Sequence, residues 1–163
     1  MNLSRQWEII NEARRYVPVD LRRLSSNLGV RVTSAFLHPM ISGMLERDRT
    51  DTFTVTLNHA DSYTRQRFTL AHELGHFMLH RHLVGDGIDD DRAYRSTEVG
   101  KYHNTKIGPS EETEANQFAA NLLMPRDMIE AEWEKRKDVK SMAQYFQVSE
   151  HAMSIRLNVP YAK

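Results

Sequence analysis

The tightest constraint in this sequence is an eleven-residue run, His72 to His82, that holds four of the chain's eight histidines. It lies in a segment from Arg65 to about Arg81 whose apolar residues Phe68, Ala71, Leu74 and Met78 recur at helical spacing. On a helix, His72 and His76 stand one turn apart and project from the same side. Two imidazoles at that spacing grip one zinc ion and leave Glu73 beside an open coordination position. An ion held there makes water acidic enough to attack a peptide carbonyl near neutral pH, with Glu73 as the general base. Gly75 adds a second constraint. A mid-helix glycine costs about 1 kcal/mol relative to alanine, so its use here points to another backbone passing close by.

Such a site needs a third protein ligand. His82 follows His76 by six residues, but Leu79 stands midway where a chain-turning glycine is needed, so an unbroken helix carries His82 away. His80 lies two turns above His72, too far along the axis to share its ion. A second helix is expected after Ser110, running through Leu123 to Pro125, with Ala115, Phe118, Ala119, Leu122 and Leu123 as its buried stripe. At about 100° per residue, Glu111 and Glu112 project near that stripe and Glu114 points away. A carboxylate on a buried face needs a cation, which makes Glu112 the first choice and Glu111 the second. Asn116, one turn beyond Glu112, is placed to hydrogen-bond a ligand histidine.

The rest of the chain reads as a small α+β protein. Residues 4–16 form an expected helix with Trp7, Ile10 and Tyr16 near one face, and Asp20 caps a second over Leu21 to Leu28, closed by Gly29. Val30 to Leu57 reads as strands, with Phe53, Val55 and Leu57 alternating with threonines and a hairpin across Glu46 to Thr52. Met128 to Arg136 is a further helix. Asp138 to Leu157 then resembles a helix-turn-helix, yet Arg156 is the one basic residue in its second helix, so packing on the rest of the protein is expected rather than DNA contact. The stretch 83–109 has no sustained periodicity. It supplies Tyr94, Tyr102 and His103 as candidate donors to a developing oxyanion and an acidic turn at Asp86, Asp89, Asp90 and Asp91.

Lys plus Arg equals Asp plus Glu at 22 each, so no overall field favours nucleic acid or a membrane surface. There is no cysteine, which excludes disulfides, thiolate zinc sites and thiol nucleophiles. With no apolar leader and no membrane-length run, a cytoplasmic location is expected.

With these residues in place, the chain resembles the ImmA/IrrE family of metallopeptidases. Arg67 to His76 is similar to the family's active-site helix, and Glu112 to Pro125 to its second motif, in which the first glutamate is the third zinc ligand. Ile41 to Met44 and Val148 to Leu157 match weaker stretches. The resemblance implies a minimal gluzincin-like fold: a small, twisted, mostly antiparallel sheet on the two motif helices, forming a metallopeptidase domain over 1–137, with a helical segment 138–163 packed on it. It implies one zinc per chain on His72, His76 and Glu112, with Glu73 catalytic. It further implies a bacterial or phage protein that cleaves a helix-turn-helix repressor held as an added strand on a sheet edge. The other expectation of a different class is a zinc-bearing module that binds such a regulator without cutting it.

Overall fold

The computed structural model of the protein describes residues 1–84 and 107–160. Helices α1 (Leu3–Ala13) and α2 (Leu21–Asn27) lead into strands β1 (Val30–Ala35), β2 (Gly43–Arg47) and β3 (Phe53–Asn58). The long helix α3 (Tyr63–His80) follows, and after it α4 (Pro109–Leu123), α5 (Arg126–Arg136), α6 (Val139–Phe146) and α7 (Glu150–Leu157). Local chemistry sets these boundaries. Asn2, Asp20, Ser62, Asp138 and Ser149 each accept a hydrogen bond from a first-turn backbone N–H of the helix they precede. Gly29 closes α2 at φ +76°, a left-handed conformation that costs glycine nothing. α1 ends at Ala13, short of the expected Tyr16, which is 67% exposed rather than on the buried face.

The fold class is α+β, with a three-stranded sheet in the order β1-β3-β2. β2 and β3 form the expected hairpin, pairing Leu45 with Val55, whereas β1 runs parallel to β3, pairing Val32 with Val55. The sheet is therefore mixed, where a mostly antiparallel one was expected. The reason lies in the link between β1 and β2. Buried Asn58 donates from Nδ2 to the Ile41 carbonyl at 2.9 Å and accepts at Oδ1 from the Ala60 N–H at 3.1 Å. It thereby ties the returning loop to the end of β3 and delivers Ser42 and Gly43 to the sheet's outer edge.

α3 lies between the sheet and α4, and two glycines mark the contacts. A Cβ on Gly43 would stand 2.5 Å from Cγ2 of Thr69, and one on Gly75 would stand 3.2 Å from both Cα and O of Ala115. Sandwiched in this way, α3 is buried far beyond one stripe: every residue from Thr69 to Met78 is buried. The core continues from Val55, Leu57 and Leu74 through Phe118 and Leu122 to Met142, Phe146 and Met153 of the last two helices. No helix among the described residues is long and apolar enough to cross a membrane.

Gly75→Ala tests the sandwich. Helix propensity alone would stabilise the variant by about 1 kcal/mol. Overpacking against the rigid α4 backbone costs about 1–3 kcal/mol and outweighs it, so the denaturation midpoint should fall. A raised midpoint would mean that the two helices are not in such close contact.

Candidate metal centre

Close approach at Gly75 brings one face of α3 against the first turns of α4. His72 Nε2 lies 3.1 Å from His76 Nε2 and 3.3 Å from Glu112 Oε2, and His76 Nε2 lies 3.1 Å from Glu112 Oε1. Both imidazoles are fully buried, and the Glu112 side chain keeps 22% of its exposure. These three residues form a group able to hold a metal ion. Donors at bond lengths of 2.0–2.1 Å around a tetrahedral zinc sit about 3.3 Å apart, so the spacing fits an ion of that size. The chemistry of the set agrees: two borderline nitrogen donors and one carboxylate, with no sulfur.

The protonation pattern also suits a cation. Asn116 Oδ1 lies 2.8 Å from His72 Nδ1 and can only accept there, so Nδ1 carries the proton and Nε2 presents its lone pair. Burial pushes the His76 imidazole down to about 4 against the opposing pull of Glu112, which keeps the ring neutral. His76 Nδ1 stands 2.9 Å from His80 Nδ1, and two like nitrogens that close require one donor and one acceptor. With His76 Nε2 kept for a metal, His76 Nδ1–H donates to His80 Nδ1. His80 then carries its proton on Nε2, 3.7 Å from Glu114 Oε1. His80 thus stays outside the metal group, yet it orients one member of it. Its i,i+4 spacing from His76 was the signal available in the sequence.

The other candidates are placed differently. Glu111 Oε2 accepts the Gly108 N–H at 3.0 Å, so its carboxylate serves the start of α4 and not the group. His82 is exposed in a short 3-10 turn, Arg81–Leu83, beyond the end of α3. Glu73 is fully buried between the two histidines in sequence. Tyr94, Tyr102 and His103, with Asp86, Asp89, Asp90 and Asp91, lie outside the described residues.

Residues 26–158 match the family described as the IrrE N-terminal-like domain, peptidase M78. Among curated proteins the chain is similar to the metallopeptidase ImmA of Bacillus subtilis (strain 168), 28% identical over 89 residues, which are 54% of this chain and 44% of that protein. Among solved structures it resembles a Mycobacterium tuberculosis transcriptional regulator with a TM-score of 0.61, over 93% of this chain and 46% of the other. At 19% identity, that second likeness speaks for the fold. The chain spans under half the length of each of these two relatives.

The hydrogen bonds behind the two imidazoles carry a measurable consequence. Asn116→Ala and His80→Phe should each weaken zinc affinity by about 10–100-fold, read by competition with a chromophoric chelator. Unchanged affinity in both variants would mean that neither contact orients a ligand.

Proposed function

The chain belongs to the ImmA/IrrE family, and from that premise we propose that it is a zinc-dependent endopeptidase acting on a protein partner. The observation that supports this most is the coincidence of three ligand-type side chains, His72, His76 and Glu112, with a buried carboxylate, Glu73, that a purely structural metal would not need. Bound zinc supplies Lewis acidity, lowering the pKa of water and polarising a carbonyl oxygen. In this reading the chain's own residues do the rest. His72 and His76 are held neutral and correctly turned by Asn116 and His80, and Glu112 closes the set from α4. Glu73 takes a proton from the attacking water and returns it to the leaving amine. The outer edge of β2, which pairs only with β3 among the described residues, offers main-chain groups on which an extended substrate can add as a strand.

The proposed substrate is a helix-turn-helix transcriptional regulator, met in the cytoplasm. The relatives support a regulatory setting by name: one is a metallopeptidase and the other a transcriptional regulator. Direct DNA binding by this chain is not part of the proposal. Arg156 on α7, the one basic residue of that helix, donates from Nε to the Met124 carbonyl at 3.0 Å and from Nη2 to Asn121 Oδ1 at 3.0 Å. It is held against α4 rather than extended for a DNA backbone. Residues 138–163 are proposed to support the metallopeptidase part over 1–137, since Met142, Phe146 and Met153 sit in its core.

The test is intact-mass analysis of the zinc-loaded protein incubated with the helix-turn-helix regulator encoded nearest its gene. One new pair of fragments is expected. Glu73→Gln should keep the metal and slow cleavage by at least about 100-fold. Stable complex formation with no cut would instead establish the second reading, a module that binds the regulator without cleaving it.

A further inference from the structure

A large cavity lies near the metal group, walled by the N-terminal half of α3, the middle of α4, and α7; its volume is about 700 Å³. We infer that this cavity is the subsite for the substrate residue that follows the scissile bond, and that it takes a large apolar side chain with an acidic residue next to it. The inference rests on the endopeptidase reading above.

Position comes first. Asn116, which holds His72, lines the cavity, as does Thr113, the neighbour of Glu112. At the other end Arg65 lines it and donates from Nε and Nη2 to Ser42 Oγ at 3.1 and 2.9 Å, just ahead of the edge strand β2. The cavity is therefore one residue removed from the metal group, through Asn116, and one residue removed from the start of the strand on which a substrate can pair, through Arg65.

Direction follows from the packing of β2 on α3. Gly43 lies against Thr69. At the other end of β2, Arg47 stacks on Phe53, whose ring meets Phe77 at 5.1 Å. β2 and α3 thus run the same way. A strand added to β2 in the more stable antiparallel sense runs from the Phe77 end toward the Thr69 end. It crosses His76 and His72 and then reaches Phe68 and Arg65. The residue delivered to the cavity is the one after the cut.

The lining sets the chemistry. Phe68, Ala120, Met124, Val148, Ala152 and Ile155 give it apolar walls, and Ile155 is 67% exposed there. An apolar side chain that reaches these walls leaves water behind. Arg126 and Arg156 also line the cavity, and none of its described lining residues is Asp or Glu. The acceptors that engage Arg156, the Met124 carbonyl and the Asn121 amide, carry no charge to cancel its own. The Arg156 guanidinium is lowered by burial first and then by the positive charges of Arg126 and Arg14. The site is thus apolar within and cationic overall, which suits an apolar residue beside a carboxylate.

The experiment measures binding by calorimetry to the zinc-loaded protein. Its probes are four hydroxamates in which the chelating head replaces the scissile peptide. The head is followed by an isobutyl or a methyl side chain, and then by Glu or Lys. Isobutyl should bind about 10–50-fold tighter than methyl, and Glu up to about fivefold tighter than Lys at low salt. Ala152→Phe, which fills the cavity, should erase the first preference. Arg126→Glu, at an exposed position, should shrink or erase the second. Four probes bound with equal affinity, or preferences unmoved by both variants, would overturn the subsite and leave the metal cleft standing. If none of the four bound the zinc-loaded protein, the endopeptidase reading itself would fall, and the subsite with it.

Discussion

The contact between α3 and α4 at Gly75 and Ala115 is what the rest of the site depends on. Without a side chain on Gly75, the α4 backbone comes within 3.2 Å of where a Cβ would stand. At that separation a glutamate on α4 meets two histidines on α3. A wider gap would move Glu112 away from both rings at once, because its two oxygens serve different imidazoles. On its other side α3 is pressed by β2 at Gly43, which leaves the helix little freedom to slide. Close packing of this kind transmits the position of one element to the next.

Burying two imidazoles and a carboxylate is costly unless something compensates. The i,i+4 spacing makes both Nε2 atoms converge, 3.1 Å apart. Part of the compensation is the hydrogen bonding behind the rings, where Asn116 and His80 settle which nitrogen faces inward. The remaining demand is for a positive charge at the centre of the group, which a divalent cation would meet. The same arithmetic explains why Glu111 and Glu114 are elsewhere. One satisfies an orphan N–H at the start of α4, and the other stays half-exposed beside His80.

Helix positions were legible because capping residues and apolar spacing act locally. Asp20, Gly29 and the Ala115–Leu123 stripe each name their own role. The partner of β1 was not legible. Alternation along Phe53, Val55 and Leu57 says that a strand is half-buried, but nothing local says which strand it pairs with. That choice depends on Asn58 gathering a loop some twenty residues away, a contact with no periodic signature. Nor does a single apolar stripe on α3 anticipate neighbours on two sides, which bury every residue from Thr69 to Met78. At the site, His72, His76 and Glu112 stand together in space, and the i,i+4 spacing of His80 from His76 signals a contact between them but not which nitrogens meet. The cavity beside Asn116 could not have been read at all, being assembled from three helices distant in sequence.

In the proposed endopeptidase, His72, His76 and Glu112 together hold one zinc ion. X-ray absorption at the zinc edge, on protein loaded to measured stoichiometry, tests it most directly. The account predicts one zinc per chain in an all-light-atom shell with two imidazoles, the remaining ligands being oxygen, and loss of one oxygen ligand in Glu112→Ala. A shell with three imidazoles, which would bring in His80 or His82, or failure to retain stoichiometric zinc, would contradict it.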